Sequence, residues 1–237
     1  RSMADNNILK SVEIRQAFAH CIDRKKLADA VQWGTGVLAH SYVPANHPLY
    51  NDEEGLYRYD YDPEHGRALL SGTGWETQDD SAVRSQDGSE FVLKYSTNIP
   101  HDYSGRLRKI IADLVKADLG KCGIELIVIP YAAEDMYSEW PHGVVFGRKF
   151  DLAEYAWILP SEPRCELYRT DQIPDNVSVG GINATGYSNP AFDAACDQAT
   201  LAQDRAHAAE GHKLAQFIFA RDLPSIPLFF RLRIAVA

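Results

Sequence analysis

Two large aromatic side chains, Tyr155 and Trp157, lie two positions apart in the stretch FGRKFDLAEYAWILPSEPRC, residues 146–165. Rings of this kind bind ligands by stacking, and their hydroxyl and indole N–H groups also form hydrogen bonds. Trp157 is followed by a loop that contains Pro160 and Pro163. Because tryptophan is usually mostly buried, a role for Trp157 as a core residue remains an equal alternative at this point.

Side chains that could perform catalysis are present, but their spacing in the sequence does not match a catalytic motif. The eight histidines are scattered, and His207 and His212 are five positions apart, which does not place two metal ligands on one helical face. The zinc-protease, phosphate-loop and serine-nucleophile motifs are all absent. No metal or cofactor site is indicated. A binding role is therefore favoured over catalysis, although the sequence cannot show which carboxylates pair in space.

The elements that position Tyr155 and Trp157 belong to a predicted β-α-β-α-β unit. Residues 150–158 are short, rich in aromatics and bounded by turn residues, which predicts a strand with Tyr155 and Trp157 on one face. Strands are also predicted at 91–96 and 124–129, the latter nearly all apolar, as expected of a strand buried on both faces. Helices are predicted around 107–114 and 134–140. A strand–helix–strand order favours parallel pairing, and ligands bind at the carboxyl ends of such strands.

The remaining elements follow from capping residues and apolar periodicity. Helices are predicted to begin near Ser11, Asp23, Asp62, Asn189 and Asp204. Residues 39–62 form a predicted loop with five tyrosines, most of which are expected to fasten the loop to the surface. A polar stretch at 76–89 contains a turn at Asp87-Gly88, and residues 226–234 are predicted to form a strand with Pro227 at an edge or start.

Bulk composition excludes some classes of partner. The 237 residues carry a net charge of -9, with 45% hydrophobic and 24% charged residues. This acidic balance argues against nucleic acid and anionic membranes as partners, and no apolar run is long enough to cross a bilayer. The length allows one large domain or two small ones. Residues 1–4 resemble a cloning scar or an internal cut, so the chain is expected to be a fragment.

The four cysteines, Cys21, Cys122, Cys165 and Cys196, contain no C-x-x-C pair. Their even number permits two disulfides in an oxidising compartment, with three possible connectivities. Four buried free thiols are an equally open alternative.

Several segments together resemble the family 5 extracellular solute-binding proteins of ABC importers, which bind peptides and oligopeptides. They are IRQAFAHCIDR at 14–24, YDPE at 61–64 with LL at 69–70 and GW at 74–75, FDL at 150–152 with Trp157, GYSNPAFD at 186–193, and LPSIPL at 223–228. The resemblance implies an α/β lobe of a type II periplasmic-binding-protein fold, with a mixed sheet flanked by helices. It also implies a secreted or lipid-anchored protein that delivers its solute to a membrane permease.

Family members are about twice this length, so the resemblance implies that residues 1–237 form a single lobe, the second large one. The first lobe is then a missing partner. The strand that ends in tryptophan faces the interlobe cleft in the family, which carries over to Trp157 with Glu154 and Tyr155 before it. Ser161 and Glu162, in the following loop, are also implied to contact the ligand, and Arg148 is included from the turn that opens the stretch.

Peptide binders of the family often hold the free ammonium of the peptide with an aspartate in that loop. Residues 159–161 contain no aspartate, so either Glu162 replaces it or the ligand lacks the ammonium. The resemblance thus implies a non-enzymatic protein that binds a peptide or similar small solute. Two alternatives stay open: a carboxylate-dependent hydrolase using the same cleft, and an interaction module using the tyrosine-rich loop at 42–61.

An extracellular or periplasmic location favours disulfides. On that basis Cys21 is paired with Cys122, and Cys165 with Cys196. The second bridge would attach the loop after Trp157 to the helix that carries Cys196, and each bridge is expected to contribute roughly 2–4 kcal/mol.

Overall fold

The computed structural model describes residues 7–52, 56–77, 82–99, 103–158 and 160–231. The expected cloning scar at residues 1–4 lies outside them, as does the end of the strand predicted at 226–234. Helices and strands have the following bounds: α1 Val12–Cys21, α2 Arg24–Gln32, β1 Val37–Leu38, α3 Pro63–Gly72, β2 Ser85–Gln86, β3 Ser89–Glu90, β4 Val92–Asn98, α4 Tyr103–Lys121, β5 Glu125–Tyr131, α5 Ala133–Tyr137, β6 Leu152–Glu154, α6 Pro190–Leu201, α7 Arg205–Asp222 and β7 Phe229–Phe230.

Polar side chains cap the starts of five helices, as the sequence predicts. Ser11 accepts a hydrogen bond from the backbone N–H of Ile14 at the start of α1. Asp23, Asp62, Asn189 and Asp204 act in the same way at α2, α3, α6 and α7. Each cap satisfies a backbone donor that the first turn of a helix leaves without a partner, which explains why these helices begin where they do.

A three-stranded parallel sheet with the order β5-β4-β6 positions the candidate site. The β-α-β-α-β prediction is confirmed, since α4 follows β4 and α5 follows β5. The expectation that β5 is buried on both faces is wrong, because β5 is an edge strand and Ile127 is 46% exposed. An apolar run therefore did not indicate a central place in the sheet.

The strand predicted at 150–158 is shorter in the structure, where β6 covers only Leu152–Glu154. Its ladder with β4 runs from Tyr95↔Leu152 to Thr97↔Glu154. Before it, the carboxylate of Asp151 accepts a hydrogen bond from the backbone N–H of Lys94 at 2.8 Å. Residues 155–158 continue beyond the ladder, so Tyr155 and Trp157 lie past the end of the strand.

Antiparallel pairing occurs in two smaller sheets rather than in the parallel one. Strands β2 and β3 form a hairpin around Asp87 and Gly88, both of which have positive φ, as a tight hairpin turn requires. Strand β1 pairs with β7. Within residues 226–231, the described part of the strand predicted at 226–234, the paired residues are Phe229–Phe230.

The two largest of four hydrophobic clusters among the described residues support these elements. The first packs α1 and α4 against the sheet through residues such as Phe18, Phe91 and Leu119. The second lies around α6 and α7 and includes Tyr42 and Tyr50 from the 39–62 loop. Burial of these rings, and of Tyr59, confirms that the tyrosines mainly fasten the loop and argues against a loop that serves only as an interaction module.

The two predicted disulfides are both formed. Cys21 in α1 is bonded to Cys122 after α4, across a sequence separation of 101. Cys165 is bonded to Cys196 in α6, across a separation of 31. All four cysteines are buried. Among the described residues, no helix combines the length and apolar character needed to span a membrane.

Candidate functional site

The three parallel strands end at one edge of the sheet, at Asn98, Tyr131 and Glu154. The side-chain amide of Asn98 donates a hydrogen bond to the carbonyl of Tyr131 at 2.9 Å, which joins the ends of β4 and β5. The carboxyl ends of parallel strands are where open α/β sheets bind ligands. This edge is therefore the candidate site.

Glu154, at the end of β6, forms an ion pair with another residue of the protein. Its Oε1 lies 3.2 Å from Nη1 of Arg108, a residue of α4, and its Oε2 accepts a hydrogen bond from the hydroxyl of Thr97 at 2.9 Å. Burial raises the pKa of Glu154, and the Arg108 charge and the Thr97 hydroxyl only partly oppose that shift. Both carboxylate oxygens of this predicted ligand contact are thus engaged by the protein.

Three rings form a wall next to this ion pair, and we call Phe146, Tyr155 and Trp157 the aromatic wall. The Trp157 ring lies 5.9 Å from Tyr155, edge to face, and 6.2 Å from Phe146. The guanidinium of Arg164 lies 6.0 Å from the Trp157 ring, within cation–π range. Trp157 is partly exposed, so it is not confined to the core. Burial raises the pKa of Tyr155, which keeps its hydroxyl protonated.

Residues 158–164, which we call the 158–164 loop, follow the aromatic wall. Ser161 and Glu162 are both exposed there. An open groove of about 500 Å³ lies along this loop and is lined by Pro160, Glu162, Pro163 and Arg164 on one side and by residues of α6, including Asp197 and Thr200, on the other. The Cys165–Cys196 disulfide forms the link between these two sides.

Arg148 is directed toward a different loop. It has a positive φ of 53° and packs on Gly186, where an added Cβ would lie 2.1 Å from its Nη2 atom. The structure thus brings Tyr155 and Trp157 together, exposes Ser161 and Glu162 in the loop that follows them, and engages Glu154 and Arg148 with other parts of the protein. The ligand roles of all six residues remain predictions.

Sequence reasoning missed several residues of the site. Phe146 lies at the start of the aromatic-rich stretch and Arg164 near its end, so their position was a usable signal. Arg108, a residue of α4, forms a hydrogen bond with Glu154. His47 forms one with Ser161, which is 114 positions away in the sequence. Local sequence patterns do not predict contacts between residues so far apart in the chain.

Catalysis at this edge would require a group of reactive side chains held together there. Among the described residues, no group of three or more metal-binding side chains lies together. Asp204 and His207 form a carboxylate–histidine pair, but Asp204 is the cap of α7. The Trp157 ring contacts the rings of Phe146 and Tyr155 and the guanidinium of Arg164, and it packs against the second core. This arrangement gives no support to the hydrolase alternative.

The parallel sheet and its flanking helices define an α/β protein whose fold is that of part of a type II periplasmic-binding protein. Residues 3–170 match the model of the bacterial extracellular solute-binding proteins, family 5 Middle, and the chain belongs to this family. Members of the family are solute-binding proteins rather than enzymes.

Individual relatives agree with this assignment. The chain is 26% identical over 222 residues to heme-binding protein A of Haemophilus influenzae, covering 92% of the chain and 36% of the relative. It is 24% identical over 231 residues to the oligopeptide-binding protein AppA of Bacillus subtilis, covering 95% and 39%. The structure of that AppA in complex with a nonapeptide superposes with a TM-score of 0.81 at 23% identity, covering 95% of this chain and 42% of AppA. The chain thus spans less than half the length of these relatives.

Proposed function

We propose that residues 1–237 form one lobe of a longer solute-binding protein that supplies an ABC importer. The lobe captures a peptide or similar small solute in a cleft completed by a first lobe, and the loaded protein delivers the solute to a membrane permease. Family membership supports this proposal, and so does the length of the relatives, of which the chain covers 36% and 39%. The full-length protein is extracellular or periplasmic and anchored to the membrane as a lipoprotein.

The observation that carries the proposal is the aromatic wall at the carboxyl end of the parallel sheet. Tyr155 and Trp157 hold each other edge to face, and Arg164 supports the indole, so the rings are fixed before a ligand arrives. Preformed aromatic surfaces with a few polar groups are typical of small-molecule sites. The exposed Ser161 and Glu162 supply polar groups beside the wall.

The solute class follows from the chemistry of these groups. Two of the relatives are named for binding heme and oligopeptides, both of which offer flat or apolar groups together with charged ones. In this chain, Glu162 is the exposed carboxylate nearest to the 159–161 positions and is suited to hold an ammonium group of a peptide. Arg148 packs on Gly186, so it contributes to the site by supporting the neighbouring loop.

The test is native mass spectrometry of the natural full-length protein purified from its source, which identifies a co-purified solute. A Trp157→Ala variant is compared with a Trp33→Ala variant, because Trp33 is 79% exposed at the end of α2 and has no place in the site. We expect Trp157→Ala to lose the solute and Trp33→Ala to retain it. Equal retention by both variants, or a protein that never carries or binds a small solute, would reject the proposal.

A further inference from the structure

A second segment, residues 47–51, reaches the candidate site from the tyrosine-rich loop and is held firmly by α7. Gln216 is fully buried, and its side-chain amide donates to the carbonyl of Leu49 at 2.7 Å and accepts from the backbone N–H of Asn51 at 3.0 Å. The side chain of Asn51 donates to the carbonyl of Lys213. These bonds fix the backbone from which the His47 side chain projects.

The hydrogen bonds of His47 determine its tautomer. The backbone N–H of Leu49 donates to Nδ1 at 3.1 Å, so Nδ1 carries no proton. A neutral imidazole then has its proton on Nε2, and Nε2 lies 2.7 Å from the carbonyl oxygen of Ser161. His47 is therefore a preoriented donor aimed at the 158–164 loop.

This hydrogen bond is important because few others reach the described residues of the 158–164 loop. Among the described residues, the His47 side chain donates the only hydrogen bond that reaches residues 158 and 160–162. Beyond the loop, the Cys165–Cys196 disulfide fixes the chain to α6. His47 thus supplies the restraint between Trp157 at one end and the disulfide at the other.

We propose that His47 is a positioning residue that holds Ser161 and Glu162 beside Trp157 by donating a hydrogen bond to the Ser161 carbonyl. The effect on solute affinity rests on the function proposed above. The effect on the order of the loop does not, because it follows from the His47–Ser161 contact alone.

Two substitutions separate the two hydrogen bonds of His47. In His47→Gln, the amide nitrogen can take the place of Nε2 and still donate to Ser161. In His47→Asn, the shorter side chain can accept from the N–H of Leu49, as Asn does in a turn, but cannot reach Ser161. Both variants are first compared with the unmodified protein by thermal unfolding, so that only folded protein is used.

The first measurement is the NMR order parameter of the Ser161 and Glu162 backbone amides in this chain, which reports how rigidly the loop is held. We expect His47→Asn to lower the order parameter from about 0.85, typical of rigid backbone, to below about 0.6, and His47→Gln to leave it near the unmodified value. The second measurement is binding of a tripeptide pool to the full-length protein, where we expect affinity to fall in His47→Asn and to recover in His47→Gln.

Equal order parameters in both variants overturn the inference, and so does the reverse order, which would assign His47 to its own turn only. If the unmodified full-length protein binds no solute, the proposed function fails while the order parameters still decide the role of His47. If the solute binds but the order parameters do not change between the two variants, the positioning role of His47 is rejected and the proposed function stands.

Discussion

Arg108 and Glu154 form an ion pair at the carboxyl end of the parallel sheet, with side chains only 12% and 7% exposed. Removing two charges from water costs several kcal/mol per ion, and that cost is only partly recovered by their attraction. The raised pKa of Glu154 has burial as its largest cause, which is consistent with that balance. The pair therefore fixes the geometry at the end of β6 more than it adds net stability.

Removing one partner of this pair is expected to be far more harmful than removing both. Arg108→Met strands a buried carboxylate and should cost about 3–5 kcal/mol of unfolding free energy, whereas Arg108→Met combined with Glu154→Leu should cost clearly less. Denaturant unfolding measures both. Lys109→Ala, which breaks the exposed Lys109–Asp113 pair on the same helix, is the matched control and should change stability by less than about 0.5 kcal/mol. A double variant as unstable as the single one would contradict this account.

Local sequence rules predicted the framework well because they describe local causes. The caps at Asp62 and Asn189 satisfy donors two or three positions away, and the strand–helix–strand order leads to parallel pairing. The chain could not reveal which strand lies at an edge. The apolar sequence of β5 was therefore misinterpreted as fully buried, although Ile127 is largely exposed.

The candidate site was predictable only where its residues are adjacent in sequence. Tyr155 and Trp157 meet because alternate residues of an extended chain share a face. The contacts of Glu154 with Arg108, 46 positions away, and of Ser161 with His47, 114 positions away, depend on tertiary packing. No spacing rule links such residues, and so the internal engagement of Glu154 could not be foreseen.

The two disulfides are expected to differ in function more than in stability. The chain-entropy estimate is about 4.7 kcal/mol for the loop closed by Cys21–Cys122 and about 3.7 kcal/mol for that closed by Cys165–Cys196. Replacing either pair by alanines should therefore lower the melting temperature strongly. Only loss of Cys165–Cys196 should also weaken binding of a tripeptide pool by the full-length protein, because that bridge holds the 158–164 loop.

Binding is measured by isothermal titration calorimetry below the melting temperatures of both variants. Unaltered affinity without Cys165–Cys196, or equal losses in the two variants, would show that the bridge does not position the loop. Mass mapping under non-reducing conditions confirms the pairing in each protein.

Stability is expected to fall as the pH drops through the range of histidine titration. His212 is only 4% exposed, and burial lowers its pKa. The unfolded chain, with a histidine pKa of about 6.5, then binds more protons than the folded one, so stability is lost as the pH falls from about 6.5 toward the lower pKa of the folded state. His212→Leu should reduce this slope, as followed by urea unfolding at a series of pH values.

His207 provides a control with the opposite sign. Asp204 raises the pKa of His207, so its contribution is lost as the pH rises through that higher pKa. The pKa of His40 is also lowered by burial, so the His212→Leu variant should still lose some stability as the pH falls. A slope that His212→Leu leaves unchanged would assign the acid sensitivity to other groups.

Gly186 and Arg148 are expected to be energetically coupled. Gly186 has a φ of +67°, and an added Cβ would lie 2.1 Å from Nη2 of Arg148. Gly186→Ala should therefore cost about 1–2 kcal/mol, from the left-handed backbone together with displacement of the guanidinium. In an Arg148→Ala background the cost should shrink to the backbone part, giving a measurable coupling energy in a double-mutant cycle.

The matched control for this cycle is Gly180→Ala, because no atom lies within 4 Å of a Cβ added at Gly180 and its φ is not in the left-handed range. That variant should be close to neutral in thermal unfolding. A Gly186→Ala cost that stays the same without Arg148 would show that the arginine does not pack on this turn in solution.

The 237-residue chain alone is expected to bind its solute only weakly. Small-molecule sites bury most of the ligand surface, typically about 70–90% of it, and the aromatic wall with the 158–164 loop covers one side only. Calorimetric titration of the tripeptide pool into this chain and into the full-length protein compares the two directly. We expect binding by the full-length protein and weak or undetectable binding by the chain, and Trp157→Ala should abolish whatever binding the chain retains. Micromolar or tighter binding by the chain would show that the site is complete within one lobe and would contradict the requirement for a second.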